Sequence, residues 1–160
     1  MDSIIAYFNG EQFQCILGAL FSIAFITICI FFLYQQKAFL KGIAYATIPL
    51  AMLLLIICTG VIYKNSADIE RVTTFYNEAP QQIKAEEIPR MEKVMKSFGM
   101  IKNVEIAIFI IGFALTVIFW QNELMRGVGI GLIIMSESLY AFDHIAESRG
   151  EAYIQFLRSL

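Results

Sequence analysis

The chain has 160 residues, 58% of them hydrophobic and only 16% charged, with a formal net charge of −2. So little charge, against roughly 25% in soluble domains, excludes an ordinary soluble globular protein. The slight acidity and the lack of any basic stripe exclude nucleic acid as a partner.

The apolar residues fall in blocks. No charge occurs between Glu11 and Lys37, between Lys41 and Lys64, or between Glu105 and Glu123. A soluble helix would show a polar stripe every 3.6 residues, and these blocks show none. The pattern predicts an all-α integral membrane four-helix bundle. It is made of two transmembrane hairpins joined by a helical, amphipathic middle connector, as a single membrane domain over 1–160.

In chain order, the first 14 residues lack the basic n-region of a signal peptide, so the apolar run after them is expected to remain as the first span, 12–34. A short connector leads into the second span, 42–63, where Pro49 is tolerated because neighbours such as Thr47 can re-satisfy the freed carbonyl. The third span, 102–120, and the fourth, 127–146, form the second hairpin. Tyr34, Tyr63 and Trp120 mark span ends as an aromatic belt would.

Between the hairpins, 64–99 is the one sizeable polar segment. Ser66 is expected to N-cap a helix with Ile69, Val72, Phe75 and Tyr76 on one face. The break at Asn77-Glu78-Ala79-Pro80 ends it. Pro89 suits the first turn of the next helix, which should run on into span three as one rod. Met91, Val94, Met95 and Phe98 give this rod an adaptable apolar face, expected as a partner-binding surface if it is not packed against its neighbours or the membrane. After the fourth span, 147–160 reads as an interfacial helix or an extension of that span.

Lys37, Lys41 and Arg126 lie at one end of the predicted bundle. Lys64, Arg71, Lys84, Arg90, Lys93, Lys96, Lys102, Arg149 and Arg158 lie at the other. That bias places both termini and the long connector in the cytoplasm, with the spans in a cell inner membrane.

The residues with chemical potential are few. Glu137 stands midway along the fourth span, where a charge is costly and by default marks a functional or pairing site. Glu137, Tyr140 and His144 share one helical face, with Asp143 about 120° away. This intramembrane polar stripe is expected to face the bundle interior, bonding to hydroxyls of other spans or lining an ion path. Arg90, Lys102, Glu105 and Arg149 are expected as an interfacial charge cluster. One histidine and three scattered cysteines supply no metal set and no redox pair, so neither metal nor cofactor is expected. Gly127 and Gly131 form a small-x-x-x-small packing pair. No nucleophile–base arrangement or phosphate loop is evident, and no enzyme is expected.

In length, four spans, a polar middle connector and the lack of a catalytic motif, the layout resembles the small bacterial inner-membrane immunity proteins that guard against pore-forming or secreted toxins. The resemblance implies a non-enzymatic protein that binds a toxin in or beside the bilayer. The residues themselves leave a second class open, a small transporter or channel-like homo-oligomer with Glu137 and His144 along its path.

Overall fold

The computed structural model describes all 160 residues, apart from the side chain of Asp2. The chain is helical almost throughout. Helix α1 covers Asp2–Tyr34, α2 Ala38–Glu78, α4 Ile88–Ile118 and α5 Glu123–Arg158. Between α2 and α4 lie a three-residue helical turn, α3 (Pro80–Gln82), and a π-helical turn, Ile83–Glu87. Four helices are long and apolar enough to cross a membrane.

The long helices outrun any span. At 1.5 Å per residue the 41 residues of α2 reach about 60 Å, twice the roughly 30 Å of a hydrocarbon core. The expected N-cap at Ser66 is therefore corrected: α2 runs straight through it to Glu78. A new helix needs a break to start from, and Lys64-Asn65 offers none. An established helix then propagates at little cost. The break at Ala79-Pro80 is where the sequence predicts it, but no new helix starts at Pro89: the backbone from Gln82 to Ile88 stays helical, and one rod runs from Pro80 through the π turn into α4. Residues 147–160 prolong α5 rather than forming a separate helix.

The helices pack in the order α1, α2, α5, α4. Among the described residues no Cα of α1 comes within 8 Å of one in α4, so α2 and α5 are the inner helices. The α4 helix is the least covered, with 11% of its most apolar stretch buried against 28% for α2 and for α5.

Glycines set this order. A Cβ on Gly127 would fall 2.1 Å from the Phe39 carbonyl oxygen, and one on Gly42 would fall 2.1 Å from that of Leu124. Gly131 meets Ile43 in the same way. Gly129, two residues on and so about 200° round the helix, faces Gly112 and Thr116 of α4 instead. The predicted pair Gly127 and Gly131 thus takes α2 as its partner, and Gly129 adds a second close approach on the opposite side.

The densest core lies where the helices pass beyond their most apolar stretches. There Ile4, Tyr7 and Phe8 of α1, Val72 of α2, Ile83 of the π turn, Met91 of α4 and Tyr153, Ile154 and Leu157 of α5 close a compact head. The stripe Ile69, Phe75 and Tyr76 packs against it. Both ends of the chain and the middle connector therefore sit at one end of the molecule.

Tyr7 and Tyr153 stack at 4.0 Å between ring centroids, 6° from parallel. Burial pushes both phenols above their ordinary range. Glu11 adds to the rise at Tyr7, and the Glu87 carboxylate adds to it at Tyr153. A raised pKa means that the folded head holds protons which the unfolded chain would release. This stability is complete below about pH 10 and declines as pH climbs above it. Alkaline titration should therefore loosen the head, with the Tyr7 and Tyr153 phenolates appearing late and together. Absorbance differences against Tyr7→Phe and Tyr153→Phe would check this. Two phenols ionising at the free-tyrosine pH with unchanged circular dichroism would refute it.

Candidate functional site

The predicted site residues separate into three places. Within the head, Glu87 is fully buried and bound by a fork from Arg90, whose Nε donates to Oε2 at 2.8 Å and Nη2 to Oε1 at 2.6 Å. Arg71 Nη2 adds a bond to Oε2 at 3.3 Å while pairing with Asp68 at 3.0 Å, and the Tyr153 hydroxyl donates to Oε1 at 3.4 Å. Burial works to lower the Arg90 pKa, but the bonds and charge of Glu87 outweigh it and hold it raised. Sequence reasoning gave Glu87 no role. Its spacing of three residues from Arg90 was the available signal.

Arg90 therefore does not join Lys102, Glu105 and Arg149 in one charge cluster, and that expectation is corrected. Lys102 donates to Glu147. Glu105, 4% exposed, lies beside the Asp143 carboxyl. Arg149 lies along α1, with its Nε 3.0 Å from where a Cβ on Gly10 would be. The four side chains are divided among separate partners because α5 packs against α1, α2 and α4 at once.

The methionine face is corrected as well. Met91 has no exposure and forms part of the head core, where it takes the Tyr7 hydroxyl at 3.8 Å from its sulfur. Val94, Met95 and Phe98 are half-buried. The Met95 sulfur sits 2.9 Å from where a Cβ on Gly150 would be, so this face is turned onto α5. Met91→Asp would place a charge in the core rather than test a surface.

The stripe on α5 faces the other way from the expectation. Glu137 and His144 are exposed, Tyr140 is 41% exposed, and only Asp143 turns partly inward. Buried Met135 fixes this orientation, because Glu137 follows it by about 200°. The serines on either side of Glu137 are already committed. Ser136 donates to the Ile133 carbonyl at 3.0 Å and Ser138 to that of Ile134 at 2.7 Å. Polar side chains that do point inward are others, such as Gln14, whose amide donates to the Phe142 carbonyl at 2.6 Å.

Glu105, Ile106 and Phe109 of α4 and Ser136, Glu137 and Tyr140 of α5 line a groove of about 290 Å³. It opens because Gly112 and Gly129 draw the two helices together at one end, while Phe109 and Tyr140 take the glycine places further along. The walls are apolar, and carboxyls are spaced along its length. Glu105 Oε2 is buried without a hydrogen-bond donor. Lys102 Nζ lies 5.8 Å from the centre of the Tyr140 ring. Among the described residues, no three His, Cys, Asp or Glu side chains converge as a metal site would. With acceptors in excess of donors, the groove is suited to receiving a hydrogen-bond donor or a cation.

No protein-family model, curated protein or solved structure matches the chain.

Proposed function

We propose that this is a non-enzymatic integral membrane protein of the bacterial inner membrane, with its head in the cytoplasm. It binds a protein partner inside the bilayer, as an immunity protein that neutralises a membrane-active toxin. The observation that carries this reading is the outward-facing Glu137, midway along the apolar stretch of α5 and beside an open groove. A carboxyl held toward hydrocarbon is unfavourable by a few kcal/mol, about 2.5–3.5 for a comparable charge at a helix centre. A helix inserted beside α4 and α5 relieves that cost by bringing a donor. The poorly covered α4 supplies the apolar area such a helix needs.

Deleting the gene should make cells sensitive to a co-encoded or neighbouring secreted protein, and the wild-type chain should restore resistance. Glu137→Leu should insert and melt like the wild type, because no hydroxyl in the chain is left unpaired by it, yet protect at least about tenfold less, a loss of 1.4 kcal/mol in binding. If deletion changes sensitivity to no such protein, the immunity reading falls. Transport by an oligomer whose facing α5 helices enclose Glu137 and His144 then takes its place.

A further inference from the structure

Building on the partner binding proposed above, we infer that the α4–α5 groove recognises a cationic side chain, an ammonium or guanidinium, carried on an apolar transmembrane helix. Charge balance along the groove points to it. Glu105 and Glu137 both line the groove, and Lys102, the base beside it, is already bound to Glu147. Among the described residues no base is ion-paired with either of them, so the groove holds two acids and no base of its own.

Independently of that count, Glu105 lines the groove, is 4% exposed and keeps Oε2 without a donor. A buried acceptor without a donor, on a residue that lines an open groove, marks where a donor belongs. The form of the groove suits a long cationic side chain. Ile106 and Phe109 can cover an alkyl stem while the head reaches Glu137 and Glu105. The aromatic faces favour a cation beside them, as Lys102 over Tyr140 already illustrates.

The test uses the full-length chain in phosphatidylcholine vesicles and two labelled synthetic helices of about 20 leucines and alanines. One helix carries a single central Lys and the other carries Leu there, and binding is read by energy transfer. The Lys helix should bind about tenfold more tightly. Glu137→Gln and Glu105→Gln should each abolish that preference. Glu123→Gln, at the far end of α5, should preserve it. Because Glu137 is exposed, its variant tests the inference even if Glu105→Gln folds poorly.

Equal affinity for the two helices overturns the inference, as does a preference that survives Glu137→Gln or disappears with Glu123→Gln. Equal but measurable binding leaves apolar partner recognition standing. A clear Lys preference in a chain whose deletion sensitises no cell removes the immunity role and keeps the site.

Discussion

Glu87→Ala should free the head from the rest of the molecule. The carboxylate is wholly buried and holds Arg90 through a two-pronged bond and Arg71 through a single one, so its removal leaves Arg90 without its carboxylate and Arg71 with Asp68 alone. Breaking a buried ion pair from one side costs about 3–5 kcal/mol. Arg71 and Arg90 keep 36% and 33% of their side-chain surface and can regain water, which puts the expected loss near the lower figure, about 3 kcal/mol. In detergent the variant should be cut by trypsin at Lys84 and Arg90 well before the apolar helices melt. Glu87→Gln keeps the shape and one acceptor, and should lose less. If Glu87→Ala resists trypsin as the wild type does, Glu87 does not organise the head.

The second large effect belongs at the opposite end. Gly127→Leu should prevent α5 from docking on α2. Overpacking in an adaptable core costs about 1–3 kcal/mol, because side chains can turn aside. Here the obstacle is the Phe39 carbonyl, which is main chain and cannot, so the cost should exceed that range. The two hairpins would then hold together only through the head. Gly60 is the matched control. A Cβ there meets nothing within 4 Å, so Gly60→Ala should be neutral or gain up to about 1 kcal/mol from helix propensity. Thermal melts of the two variants in one detergent would decide the matter. Equal melting temperatures would mean that the close crossing is not what joins the hairpins.

Much of the helical frame was legible because charge-free blocks and prolines are local signals. The break before Pro80 could be placed from residue type alone, whereas Pro89 sits in a helix already running from Pro80, because proline is tolerated early in α4 without having to start it. The continuation of α2 past Ser66 could not, since a good capping residue acts only where a helix has first stopped. The head was hidden for another reason. The burial of Glu87 depends on residues from four helices and on the π turn, none of which a local pattern records. The orientation of α5 was legible but outweighed. A helical wheel gives the angles between Glu137, Asp143 and the glycines without saying which direction is inward. Gly127 and Gly131 said so, because main chains can approach closely only on their face. Polarity alone turns Glu137 inward, whereas the close approach at the glycines turns it outward, and packing decides. The same wheel correctly set Asp143 apart from the others.

The head gathers both chain ends and the connector, so the opposite end of the molecule is closed by residues 35–37 and 119–122 alone. Stable protein complexes bury about 1,000 Å² or more, and two tight connectors present far less. A protein arriving through water from that side finds almost nothing to hold. In the orientation proposed here that side faces the periplasm, which would leave proteases and other proteins there almost no surface to grip. Under the function proposed here, a partner therefore meets the chain within the bilayer or at the head.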